Sequence, residues 1–118
     1  MTLVDTSVWV DHLREGNARL QALLRTEQVL VHPLVIGELA CGQLQNRNEV
    51  LRLLESLPAA RQADHRETLA LVDQQRLAGL GLGWIDAHLL ASSLLSDARL
   101  WTLDQRLARA AAQLKVRS

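Results

Sequence analysis

Thr2-Leu3-Val4-Asp5-Thr6-Ser7-Val8-Trp9 opens the chain with an apolar run that ends on an acid and two hydroxyls. Residues 2–5 read as a short strand and residues 7–14 as a helix, with Asp5 or Thr6 available to cap it. The pattern returns near the other end. Arg99 to Leu103 reads as a strand, and residues 104–114 as a helix that begins on Asp104. Between them, Gln28-Val29-Leu30-Val31-His32 is a bounded β-branched run, hence a third strand. Pro33 suits the first turn of a helix reaching Cys41, and Gly42 suits its end. Further helices are expected over residues 17–26, over Arg47 to Ser56, from the Asp64/Glu67 capping box to near Gly79, and over residues 84–96. Val116 is placed on an edge strand. Strands alternating with helices predict an α/β fold with a small, mainly parallel sheet flanked by helices.

In such a sheet, ligands sit beyond the carboxyl ends of the strands. Asp5 and Asp104 both follow a strand, so both fall on that rim. Glu38 lies on the helix after the middle strand, within Leu34-Val35-Ile36-Gly37-Glu38-Leu39. Asp86 opens the most apolar helix, Trp84-Ile85-Asp86-Ala87-His88-Leu89-Leu90. Each of the four acids interrupts apolar sequence. Gathering carboxylates away from water is costly unless a cation accompanies them. A divalent ion with oxygen ligands would supply it. Taken singly, Asp5 and Asp104 could be helix caps, Asp86 could answer a helix dipole, and Glu38 could be a solvated edge residue.

The composition narrows the function. At 118 residues the chain is expected to form one domain, residues 1–118. Thirteen basic and thirteen acidic residues balance, so nothing draws the whole surface to nucleic acid or anionic lipid. Phe and Tyr are absent, and Trp9, Trp84 and Trp101 sit in apolar runs that suggest core packing. An aromatic platform for single strands is therefore not expected. Cys41 stands alone and reads as a buried structural thiol. With no leader pattern and no membrane-length apolar run, the expected setting is the cytoplasm. No His-x-x-x-His or Cys/His cluster favours zinc. Gly79, Gly81 and Gly83 punctuate a loop without the lysine of a phosphate loop. Arg14, Arg99, Arg106, Arg109, Lys115 and Arg117 are candidate phosphate contacts.

Val4-Asp5-Thr6-Ser7-Val8-Trp9, Val35-Ile36-Gly37-Glu38-Leu39-Ala40, Ile85-Asp86-Ala87-His88-Leu89-Leu90-Ala91 and Leu100-Trp101-Thr102-Leu103-Asp104 together resemble the PIN-domain ribonucleases. More narrowly they resemble the VapC toxins of toxin–antitoxin pairs. The resemblance spans the chain, with the four motifs in order. It implies a three-layer α/β/α fold and an acidic quartet of Asp5, Glu38, Asp86 and Asp104 that is both catalytic and metal-binding. Thr6, Ser7 and Thr102 support the quartet. It also implies Mg²⁺- or Mn²⁺-dependent endoribonuclease activity on structured RNA, tRNA or rRNA. The expected partners are a VapB-like antitoxin and a second copy of the chain in a homodimer. A PIN nuclease of RNA processing or DNA flaps is the nearest alternative. A receiver-like phosphoacceptor module is the alternative from another class. Asp5, however, lacks the adjacent acid that a receiver needs, and Lys115 is its only lysine.

Overall fold

A computed structural model describes residues 1–118. Its centre is β1 (Thr2–Val4), flanked by β2 (Val29–Leu30) and β3 (Arg99–Trp101) in the order β2-β1-β3. Both pairings are parallel. Leu3 sits level with Leu30 on one side and Leu100 on the other. Isolated parallel bridges widen the sheet at each edge, Val31 to Ala59 and Leu100 to Arg117. A parallel sheet covered on both faces wants unbroken apolar strands rather than alternation. Leu3 and Val4 are both fully buried. Leu3→Ala would remove about 2–5 kcal/mol, a large share of the roughly 5–15 kcal/mol that holds a domain folded.

Seven helices surround this sheet: α1 (Thr6–Glu15), α2 (Ala18–Arg25), α3 (Pro33–Cys41), α4 (Arg47–Ser56), α5 (His65–Gln74), α6 (Trp84–Leu95) and α7 (Gln105–Gln113). The arrangement is the expected three-layer α/β/α. The helix starts follow the sequence signals. Pro33 occupies the first turn of α3, and the His32 ring accepts the Leu34 N–H. Asp64 and Glu67 form the reciprocal capping box of α5, whose cap alone is worth about 1 kcal/mol. α3 packs on α1 and α4, α5 on α6, and α6 and α7 on β3.

Several boundaries move. β3 stops at Trp101 because the Leu103 N–H turns away to the Ser7 hydroxyl. β2 stops at Leu30, since Val31 pairs with Ala59 and His32 leaves to cap α3. The edge pairing expected at Val116 is a bridge through Arg117. The helix expected to reach Gly79 ends at Gln74. There Arg76 takes a left-handed conformation, φ 55°, and the Leu77 N–H bonds back to the Val72 carbonyl. Asp97 and Lys115 close α6 and α7 in the same way. A residue with a side chain costs about 1 kcal/mol in that conformation. Here the cost is offset by the burial of the next residue, Leu77, Ala98 or Val116.

Candidate functional site

Asp5 stands at the start of α1 but does not cap it. Its backbone N–H bonds to the Trp101 carbonyl, carrying the β1–β3 ladder one step further. Its side chain turns to the rim. Oδ2 accepts from the Ser7 hydroxyl at 2.9 Å and from the Thr102 hydroxyl at 2.6 Å. Each hydroxyl is oriented by a backbone donor from the β3 side. The Leu103 N–H donates to Ser7 Oγ and the Asp104 N–H to Thr102 Oγ1, both at 3.0 Å. A buried carboxylate is thus held by two chain ends that lie 97 residues apart.

The other acids arrive from three helices. Asp104 does cap its helix: Oδ1 accepts from the Arg106 and Leu107 N–H groups, at 2.8 and 3.2 Å. That leaves Oδ2 of this exposed residue without a protein donor. Glu38, on α3, accepts the Thr6 hydroxyl at 2.6 Å. The neighbouring hydroxyls therefore divide the work, Thr6 serving Glu38 and Ser7 serving Asp5. Asp86, in the first turn of α6, accepts the Gly83 N–H at 2.9 Å. Asp5 is buried and Asp86 half-buried, whereas Glu38 and Asp104 are exposed. The sequence expectation of four embedded anions therefore holds for two. Glu38 lies on the outward face of α3 and Asp104 at the mouth of α7.

Asp86 registers all the others. Burial raises its pKa above the ordinary 3.8, and the Gly83 N–H opposes that rise. The charges of Asp5, Asp104 and Glu38 then raise it further. Four carboxylates from four separate segments thus act on one locus. No three of the chain's His, Cys, Asp or Glu side chains form a ready cage for a metal ion. The donors are all oxygens, which suits a hard cation, and Mg²⁺ characteristically keeps several waters and takes only one or two carboxylates. A mutually repelling, open oxygen cluster fits such a hydrated ion. It does not fit zinc, which wants a closed set of nitrogen or sulfur ligands.

Compared with known proteins, the chain matches the PIN domain family over residues 2–113. It belongs to the PIN-domain family. Two relatives, both named Ribonuclease VapC32, come from Mycobacterium tuberculosis strains CDC 1551 / Oshkosh and ATCC 25618 / H37Rv. Each is 51% identical over 114 residues, covering 96% of this chain and 92% of the relative.

Around its acidic rim this PIN domain offers two polar hollows. One of about 660 Å³ runs from Thr6 and Glu38 past Arg14, Gln43 and Asn46. Another, of about 260 Å³, lies beyond Thr102 and Leu103 and is lined by Arg19, Gln105 and Arg117. Arg19 stacks on the Trp101 ring, 4.1 Å from its centroid, and bonds the Ser118 hydroxyl. Sequence reading singled out Arg14 and Arg117. It missed Arg19, because its tryptophan partner is 82 positions away in sequence.

Two further expectations fail. Cys41 is exposed, not buried, because it ends α3 beyond the reach of the core. Trp84 is 42% exposed, while Trp9 and Trp101 pack inside as expected. As the first residue of α6, Trp84 lies against the imidazoles of His65 and His88 at the edge of the fold. The histidines stay out of the acid cluster. His88 faces Thr68 on α5, 3.3 Å away. His32 is buried, and burial with the nearby charge of His88 lowers its pKa to about 4. Its Nδ1 accepts the Leu34 N–H, so Nε2 carries the proton. No helix is long and apolar enough to cross a membrane.

Proposed function

We propose that this PIN-domain nuclease is a Mg²⁺- or Mn²⁺-dependent endoribonuclease, the toxin of a VapBC-type toxin–antitoxin pair. Its substrate is structured RNA, tRNA or rRNA, and its functional unit is the single domain 1–118, acting in the cytoplasm as a homodimer. Asp5, Glu38, Asp86 and Asp104 are its catalytic and metal-holding acids, with Thr6, Ser7 and Thr102 in support. The observation that carries the reading is the placement of the four acids at one rim of the sheet, where burial first, and then the charges of the other three, raise the pKa of Asp86. The name ribonuclease, borne by relatives that are 51% identical, supports RNA as the substrate.

When bound, a divalent ion supplies charge against the phosphate and makes a water acidic enough to attack it near neutral pH. The chain's own residues set the geometry. Ser7 and Thr102 fix one oxygen of Asp5, so its other oxygen has a defined direction. Asp104 keeps one oxygen on its helix and offers the other. Thr6 restrains the flexible Glu38 side chain. Arg14 and the Arg19–Arg117 pair flank the acids, where RNA phosphates would pass.

Thermal unfolding tests the metal. Asp86 holds its proton more tightly folded than unfolded. Its contribution to stability is therefore full below about pH 3.8 and is lost as pH rises through its raised folded value. Above that window the acids repel, and a cation relieves the repulsion. Millimolar Mg²⁺ or Mn²⁺ is expected to raise Tm at pH 7 and to do so less at pH 4. Asp5→Asn should remove most of the gain. Asp86→Asn should raise the metal-free Tm by about 2–5 °C. A Tm indifferent to both ions would overturn the metal site.

The antitoxin is proposed to dock on the helical face. An apolar hollow of about 260 Å³ opens between α1, α2 and α4, lined by Trp9, Leu13, Leu24, Val50, Leu53 and Leu57. Leu53 is 60% exposed there, so Leu53→Glu should shift stability by no more than about 0.5 kcal/mol. It should weaken antitoxin binding roughly 30-fold or more and leave RNA cleavage unchanged. Unaltered antitoxin affinity in a calorimetric titration would place the antitoxin elsewhere.

A further inference from the structure

We propose that Trp84 is a base-stacking platform, taking an unpaired nucleobase of the RNA beside the acidic cluster. The inference rests on the ribonuclease reading and adds to it a class of substrate. With no Phe or Tyr and two other tryptophans buried, the exposed indole is not overflow from a crowded aromatic core. It is also not loose. The His88 ring meets it edge-on, with centroids 4.8 Å apart and planes at 87°. The His65 ring leans on it at 5.2 Å and 58°. Thr68, itself fully buried, anchors His88 through its hydroxyl. An aromatic surface already held in place binds with little further loss of side-chain freedom.

Position links the ring to the chemistry. Trp84 is the first residue of α6 and Asp86 the third, and the Gly83 N–H between loop and helix bonds the Asp86 carboxylate. Two positions apart on a helix, the side chains leave the same turn on opposite flanks. A strand crossing the start of α6 therefore meets the carboxylate on one side and the indole on the other. In the preceding loop Gly81 has no Cβ and so lets the Arg106 side chain lie against it, which brings a guanidinium close to the start of α6. Only an unpaired base can present its face, since paired bases in an A-form helix are stacked away. The favoured target is thus a loop or bulge in a structured RNA.

The test uses the full chain carrying Asp104→Asn, expected to cut about a thousandfold more slowly, and a short RNA hairpin with an unpaired loop. A matched hairpin has abasic loop positions. The looped hairpin should quench tryptophan emission and the abasic one should not. Trp84→Leu should abolish the quenching and weaken binding about tenfold, and Trp84→Phe should restore most of the affinity. In the active chain, Trp84→Leu should raise KM and spare kcat. Equal affinity of Trp84→Leu and its parent for the looped hairpin would overturn the platform and leave the ribonuclease reading standing. Failure of every form to bind either hairpin would overturn both. Unchanged hairpin binding with lost affinity for the antitoxin would assign the ring to a protein contact instead.

Discussion

Asp5→Asn is expected to slow RNA cleavage by about a thousandfold, the loss that follows when several kcal/mol of metal-derived transition-state stabilisation disappear. Asp5 is the strongest case among the four acids because it is the most buried and the most completely oriented. Asparagine keeps an oxygen able to accept from Ser7 and Thr102, so the geometry should survive while the charge is lost. The matching control is stability. Removing one negative charge from a repelling cluster should leave the metal-free Tm equal or higher. A variant that unfolds, or one that still cuts within tenfold of the parent, would show that Asp5 serves the fold instead. Asp104→Asn should behave alike, since asparagine also caps helices well and can keep the bonds to Arg106 and Leu107.

The cut ends are expected to be a 5′-phosphate and a 3′-hydroxyl, and EDTA is expected to abolish cutting altogether. A water attacking from outside displaces the 3′ oxygen. The competing route uses the neighbouring 2′-hydroxyl and leaves a 2′,3′-cyclic phosphate. That route needs a base and an acid poised to exchange protons near neutrality, a task suited to histidine. The four histidine rings have other neighbours: His32 is buried as a cap, His12 accepts the Asn17 N–H, and His65 and His88 lie against Trp84. End-group analysis of the products separates the two chemistries. Cyclic phosphate ends, or undiminished cutting in EDTA, would sink the metal-assisted route while leaving ribonuclease activity in place.

The strand–acid order at Val4-Asp5 and at Leu103-Asp104 made the rim legible in the sequence, because parallel topology sends successive strand ends the same way. Glu38 and Asp86 were legible for a different reason, as charges that interrupt apolar helices. What the acids do individually was less visible. Asp5 and Asp104 look alike as helix starts, yet only Asp104 caps, because Ser7 and Thr102 draw Asp5 away. That difference depends on a contact between distant segments, which no local pattern carries. The end of α5 escaped notice because Arg76, not glycine, takes the left-handed turn. Trp84 was misread because hydrophobic neighbours in sequence do not say which face of a helix start the fold will cover.

The bond from Thr102 to Asp5 has a consequence in time. Thr102 is made 97 positions after Asp5. At about 5–20 residues per second, synthesis separates them by roughly 5–20 s. Through that interval β1 has no β3 beside it, and Asp5 lacks both the backbone partner and the hydroxyl that aim it. A growing chain therefore cannot carry the assembled acid cluster. Until Thr102 has been added, the ribosome that makes this nuclease has no nuclease to meet.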